Sequence, residues 1–461
     1  MLDPSVPISI KLLQQVPASV AWKYRVFPKK QGSDSLKLYS DSSDHSNLSK
    51  KLSVMFGVNI EIETVASNVI DELLSKHYLK SGDSQAKSLN VESDDFIHAV
   101  IGEANALGCS DIHIEKYQER SRIRMRLDGK LIERYELKKE KYHEYVNKIK
   151  IISHLDIAEK RLPQDGRILI KGDGYQYDIR VSVLPTLFGE KVVLRLLSSD
   201  ASRLDIADLG MTENQFTQFA EAIGKTQGLV LISGPTGSGK TTTLYAALKR
   251  LNQPLSNILT IEDPIEYTLE GVNQVQLNEK VGLNFSSALR TFLRQDPDII
   301  MVGEIRDVET AQIAIRAAMT GHLVMSTLHT NSAVGIISRL VEMGVPEYLI
   351  VDTLNIAVAQ RLIRRLCKYC KKEESNLDQL PSALRKYQLN HYFSPNGCSK
   401  CHGTGYSGRM AIYEMVKIDH INSKQLLKGE SIDLKDSLAT NAIDQFIKGN
   451  TSLEEIYNYL I

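Results

Sequence analysis

The chain has 461 residues, 42% of them hydrophobic, which is enough for about three packed domains. Its 56 basic and 56 acidic residues balance, so no bulk electrostatic pull toward nucleic acid is expected. The start, Met1-Leu-Asp-Pro-Ser-Val-Pro7, has no basic segment followed by an apolar run, and no apolar run approaches the roughly 20 residues of a membrane span; the expected location is the cytoplasm, with the five cysteines outside any disulfide framework.

Residues 1–80 read as a small α/β module. Val20–Phe27 alternates like a strand, and Val69, Ile70, Leu73 and Leu74 recur at helical spacing between Val65 and Tyr78. Asp41–Asn47 is a polar loop between them. A docking role and a plain structural role suit this module equally. The polar stretch Lys80–Asn90 reads as a linker.

An α+β domain follows over 93–198. Phe96, Val100 and Ala104 form one helix face, and Lys139–His154 reads as a second helix. In Ser110-Asp-Ile-His-Ile-Glu115 the isoleucines point one way and Asp111, His113 and Glu115 the other. Arg122–Leu127 alternates too, with Ile123, Met125 and Leu127 toward a core and Arg122, Arg124 and Arg126 outward. Asp128-Gly129 is a hairpin signal. Tyr177–Val183 sets Asp178, Arg180 and Ser182 on one face, and Glu190–Arg195 follows as a strand. Such an arginine-rich face suits either ordinary solvation or ligand binding. His113 reads as a surface or hydrogen-bonded histidine before it reads as a ligand, and Cys109 as a small buried hydrophobe. Ser198–Ser202 links this domain to the last, 203–461.

That last segment holds the strongest signal. Gly234-Pro-Thr-Gly-Ser-Gly-Lys240-Thr241 matches the phosphate-loop pattern G-x-x-x-x-G-K-[ST], with an apolar strand (Gly228–Ser233) before it and a helix start after it. Glycines let successive N–H groups turn inward onto phosphate oxygens, and the helix N-terminus adds partial positive charge. Lys240 can reach the outer phosphates, and Thr241 can ligate Mg²⁺. Asn257–Ile261 is a strand ending in Glu262-Asp263-Pro264, at the edge where ligands bind in parallel sheets. Ser286–Arg294 reads as a helix with Arg290 and Arg294 four apart. Asp298–Glu304 gives an apolar strand ending at Glu304, a carboxylate able to orient or deprotonate water. His322–His329 is a third strand with a polar end.

Cys367-Lys-Tyr-Cys370 and Cys398-Ser-Lys-Cys401 are paired knuckles around a helical insert near Leu380–Leu389, a pattern suited to tetrahedral zinc. Cys398-Ser-Lys-Cys-His402 also fits haem attachment, and either pair fits a redox dithiol. Thr451-Ser-Leu-Glu454 reads as a capping box for the last helix.

Together these residues resemble the ATPases of type II secretion and type IV pilus assembly over about 94–416. The tokens are Ser110–Glu115, Pro163–Arg167, Gly234–Thr241, Ile261–Tyr267, Leu293–Asp298, Gly303–Asp307, Ser326–Thr330 and Gly408-Arg409. The resemblance implies an α/β fold: a RecA-like P-loop core, a preceding PAS-like α+β domain, a small N-terminal α/β domain and a C-terminal helical and zinc-knuckle region. It implies ATP hydrolysis by a cytoplasmic homohexamer at the face of the inner membrane. The nucleotide would be held by Gly234, Pro235, Thr236, Gly237, Ser238, Gly239, Lys240, Thr241, Thr242 and Asp263. Glu304 corresponds to the Walker B glutamate, Glu262 to an acidic box and His329 to a histidine box, while Arg180, Arg195, Arg290 and Arg294 match positions that approach the phosphates. Cys367, Cys370, Cys398 and Cys401 match the metal knuckle of assembly motors, which retraction motors lack. ATP, Mg²⁺ and Zn²⁺ are the implied cofactors. A membrane-platform protein is the implied partner, so membrane contact is indirect. A nucleic-acid-dependent motor and a non-hydrolysing ring are the rivals; balanced charge argues against the first, and Lys240 with Glu262 and Glu304 against the second.

Overall fold

The computed structural model describes residues 12, 15–16, 20–21, 24–31, 35–42, 44–67, 69–70, 73–74, 87–88, 96–172, 175–197, 205–377, 380–387, 389–418, 422, 425 and 436–460. Ser198–Ser202 and, apart from 87–88, the Lys80–Asn90 stretch lie outside them. The described residues fall into two compact units, within 1–164, 182–193 and 398–403, and within 165–181, 194–397 and 404–461.

The N-terminal stretch has its own three-stranded sheet, β1 (Val26–Gln31), β2 (Ser35–Ser40) and β3 (Asn59–Thr64), crossed by α1 (His45–Phe56). Phe27, Leu38, Leu52 and Ile60 are buried there. The strand expected over Val20–Phe27 is shorter: positions 20, 21 and 24 are helical and extended structure begins at Val26. Arg25 between them sits in the left-handed region at φ 51° and pairs with Asp41, so the chain turns where alternation alone would continue.

A seven-stranded sheet follows, built from β4 (Lys87–Ser88), β5 (Asp111–Lys116), β6 (Ser121–Leu127), β7 (Lys130–Leu137), β8 (Gln164–Gly172), β9 (Tyr175–Thr186) and β10 (Gly189–Leu197) in the order β4-β7-β6-β5-β10-β9-β8. The helices α2 (Phe96–Ala106) and α3 (Tyr142–Ile152) accompany it, and Phe96 stacks on Tyr145. Ile112, Ile114, Ile123 and Met125 are buried, as the alternation requires. The arginine face is not simply solvated. Antiparallel register sets Glu115 opposite Arg122, and Glu115 accepts from Arg122 and from Arg124 while Lys191 stands 3.1 Å away. Burial raises the Glu115 carboxyl, but Arg124 and Lys191 overcome it and hold it at about 2. Cys109 is buried, which pushes its thiol up to about 11.

The third sheet has the order β13-β12-β14-β15-β11-β16-β19. Its strands are β11 (Gly228–Ser233), β12 (Ile258–Glu262), β13 (Asn273–Gln276), β14 (Ile299–Val302), β15 (Leu323–Leu328), β16 (Leu354–Leu366) and β19 (Tyr406–Lys417), while β17 (Lys372–Glu374) and β18 (Tyr392–Ser394) pair apart. All pair in parallel except β19, which runs antiparallel to β16. The central strands are apolar throughout because both faces are covered: Leu229 and Leu231 enter one core, Val230 and Ile232 the other. The covering helices include α4 (Glu213–Ile223), α5 (Lys240–Leu251), α6 (Phe285–Phe292), α7 (Val308–Met319), α8 (Ala333–Glu342) and α9 (Glu347–Thr353). Thr212, Asn284, Asp307 and Ser332 accept backbone N–H groups at the starts of α4, α6, α7 and α8.

Among the described residues, the insert expected near Leu380–Leu389 contains a single-turn helix, α10 (Ser382–Arg385). After α11 (Leu438–Ile447) comes the last helix, α12 (Leu453–Ile456), without the expected capping box: Thr451 donates its hydroxyl to the Arg364 carbonyl at 2.8 Å, because that buried carbonyl needs a donor. Among the described residues no helix is long and apolar enough to cross a membrane.

Candidate nucleotide site and cysteine cluster

β11 delivers the glycine-rich loop and α5 begins at Lys240. Gly234 (φ 150°) and Gly239 (φ 87°) lie in backbone space that favours glycine. Space imposes the same choice: a Cβ on Gly234 would stand 2.5 Å from both the Gln360 carbonyl and the Ser238 hydroxyl. The loop therefore rests directly on β16, and Thr243 locks the contact by donating to Gln360 Oε1 at 2.9 Å. Pro235, Thr236, Gly237 and Thr241 are exposed, and Thr242 is half-buried. Ser238 is buried with its hydroxyl unpartnered.

Lys240 folds back so that Nζ donates to the carbonyls of Gly234 (2.8 Å) and Pro235 (3.2 Å). Burial lowers its pKa, Glu304 opposes that, and Arg361 adds to it. A desolvated ammonium leaning on neutral carbonyls, an orphaned hydroxyl and a glycine cradle fit an anionic phosphate group. Thr241, at the helix start, offers an exposed hydroxyl suited to Mg²⁺.

Glu304 lies two residues beyond β14, its side chain 17% exposed. One carboxylate oxygen accepts from Arg306 and the other is 3.4 Å from His329 Nε2. Burial raises its pKa, but Arg306 and His329 outweigh that, and the net shift is downward, so the group is a carboxylate near neutral pH. Arg306 also reaches within 3.8 Å of Asp263. Lys240, Glu304, Arg306, His329 and Asp263 thus form one electrostatically connected constellation at the ends of β11, β14, β15 and β12.

Glu262 stands apart from it. The strand-edge reading left this carboxylate open to a ligand; the structure buries it at 3% exposure. It accepts from the Tyr245 hydroxyl, from Thr260 (2.6 Å) and from Gln274 (3.2 Å). Burial and the adjacent Glu262 charge push the Tyr245 hydroxyl well up, so it stays a donor.

The arginines separate as well. Arg180 donates to the Ile265 carbonyl at 2.7 Å and lies 3.4 Å from Glu266, just after Asp263-Pro264. Arg195 is exposed on β10. Arg290 pairs with Glu309, while Arg294 donates to the Arg290 carbonyl and Thr291. The recorded partners of Arg290 and Arg294 are therefore on α6 and α7, not on the phosphate loop. Sequence reasoning did not single out Arg306, Gln360, Arg361, Thr243 or Tyr245 for the site. Arg306 carried a signal, standing two residues after Glu304; Gln360 and Thr243 carried none, since they meet across 117 residues of chain.

The sulfurs of Cys367, Cys370, Cys398 and Cys401 lie within 4.8 Å of one another. Cys367 and Cys401 are buried and the other two half-buried. Four thiol ligands from two knuckles converging on one point fit a tetrahedral thiophilic cation such as zinc. His402 sits in the left-handed region at φ 52° and is not among the converging donors.

The family model described as "Type II/IV secretion system protein" matches residues 87–458. A type IV pilus assembly ATPase from Myxococcus xanthus is 41% identical, over 96% of this chain and 86% of its own length. A type II secretion system protein E from Pseudomonas aeruginosa is 47% identical over 78% of this chain and 74% of its own. Among solved structures, the Legionella pneumophila ATPase DotB aligns with TM-score 0.60 at 22% identity, over 81% of this chain and 97% of that one, which shows the shared fold. The pilus retraction motor PilT with bound ADP aligns with TM-score 0.54 at 26% identity, over 79% and 96%. With the phosphate loop and its carboxylate in place, and a family match over most of its length, the chain belongs to the type II/IV secretion system protein family and, within it, to the ATPases of type II secretion and type IV pilus assembly.

Proposed function

We propose that the chain hydrolyses ATP by in-line attack of water and uses the turnover to assemble a type II secretion pseudopilus or a type IV pilus. The observation that carries the chemistry is Lys240 lying against the Gly234 and Pro235 carbonyls at the glycine cradle, with the Glu304 carboxylate near enough to act on it electrostatically. On ATP binding Lys240 would exchange the carbonyls of Gly234 and Pro235 for the outer phosphate oxygens. The N–H groups of the loop from Gly234 to Thr242 would surround the phosphates. Glu304 would orient the attacking water and take its proton, with His329 and Arg306 fixing the carboxylate. Mg²⁺ held by Thr241 would supply charge neutralisation on the phosphates. Asp263 would hold Arg306 from the far side. Glu262 would act as a buried brace between α5 and β12.

Arg180, Arg195, Arg290 and Arg294 would approach the phosphates only after a rearrangement, within the chain or from a neighbouring copy, that exchanges the present partners of Arg180 and Arg290 for nucleotide. On this reading the chain would work as a homohexameric, RecA-like motor with a PAS-like domain over 93–198 and a small docking domain over 1–80, on the cytoplasmic face of the inner membrane and attached to it through a platform protein. The knuckle would hold zinc and brace the region around 367–401. The test of ATP chemistry is steady-state phosphate release by the purified full chain with Mg²⁺. Wild type turns over ATP, and Lys240→Ala loses both nucleotide affinity and turnover by at least about 100-fold. Undiminished hydrolysis by Lys240→Ala would remove the proposed site.

A further inference from the structure

The second cation beside the phosphate loop is Arg361, on β16, one residue beyond Gln360. One of its terminal nitrogens stands 3.2 Å from where a Cβ on Gly234 would be. That nitrogen donates to the Gln360 carbonyl at 3.0 Å. The other donates to the Asn331 carbonyl at 3.0 Å, with the Asn331 side-chain oxygen at 3.4 Å. Every recorded partner is a neutral oxygen. Arg306, Arg290 and Arg364 each hold a carboxylate at hydrogen-bonding distance instead. A guanidinium on carbonyls can move to an anion without giving up an ion pair; one on a carboxylate must first give one up.

Arg361 also repels Lys240, pushing the same way as burial on the lysine. Two like charges beside inward-turned N–H groups cost energy until an anion lies between them. The lysine serves the outer phosphates in this loop type, so the arginine beside it is placed on the same side. Its planar fork suits a phosphate better than an ammonium would. Asn331, which Arg361 now holds, follows His329 by two residues, so the arginine also touches the loop that carries the histidine of the Glu304 constellation.

Resting on the nucleotide reading above, we propose that Arg361 is a phosphate-binding residue that joins Lys240 on the terminal phosphate of ATP, so that the site distinguishes ATP from ADP. Titration calorimetry of the full chain with Mg²⁺ tests this, using ADP and a non-hydrolysable ATP analogue. For Arg361→Gln the analogue should bind about tenfold more weakly, a loss of about 1.4 kcal/mol, while ADP affinity changes less than about threefold. Arg361→Lys, which keeps the charge and loses the fork, should recover part of the analogue affinity. Were the Gln variant unfolded by circular dichroism, the Lys variant decides alone: a selective loss of analogue affinity supports the proposal, and unchanged affinity overturns it. Equal losses for both nucleotides, or none, would reduce Arg361 to a structural tie on the Asn331 loop. If wild type binds neither nucleotide, the reading of the site fails first, which separates the two failures.

Discussion

Glu262 and Glu304 stand at or just past the ends of neighbouring parallel strands, yet their surroundings give them different chemistry. Glu304 is held by the Arg306 guanidinium and lies beside the His329 imidazole, and it keeps a part-exposed carboxylate. Glu262 is buried and receives donors from α5, β12 and β13. The strand-end rule found both residues but could not separate them, because the separating residue, Tyr245, is an ordinary apolar-face position of α5 by sequence. Tyr245→Phe leaves one buried carboxylate oxygen short of a donor and should cost about 1–3 kcal/mol of stability, read from denaturant unfolding. A cost near zero would mean Glu262 finds solvent instead.

At the level of elements, the phosphate loop is legible because strand, glycines, lysine and helix are contiguous. What supports it is not legible: β16 lies more than a hundred residues downstream and carries no motif, yet its Gln360 carbonyl dictates glycine at 234. Gly234→Ala should destabilise the chain by about 1–3 kcal/mol and weaken nucleotide binding, and a variant matching wild type in both thermal melting and nucleotide titration would refute that contact. The arginine strand of the second sheet shows the opposite error. Alternation correctly placed Arg122 and Arg124 on one face, but the partner that occupies them, Glu115, is set by cross-strand register. Its carboxyl, at about 2 when folded against the usual 4.5, binds protons more readily in the unfolded chain. The resulting stability is present above about 4.5 and is lost as pH falls through about 2. Acid unfolding followed by circular dichroism should lose sensitivity across that window in Glu115→Gln; an unchanged profile would show that Glu115 is not so held.

For the whole molecule, length and composition bounded the chain, and contiguous motifs carried the resemblance to the family it belongs to. Segment boundaries were less legible: strands β8 to β10 contribute residues to both compact units, so no composition shift marks a clean border. The cysteine knuckles were legible as pairs, and folding brings all four sulfurs together. Elemental analysis should find about one zinc per chain, with a lowered melting temperature after chelation; a metal-free chain of unchanged melting temperature would contradict the zinc knuckle. The central claim, that a phosphate-loop lysine binds the nucleotide while Glu304 performs the chemistry, is tested most directly by Glu304→Gln assayed for ATP binding and turnover in the same preparation. The predicted result is wild-type affinity with turnover reduced about 100-fold or more; binding and turnover both near wild type would contradict it.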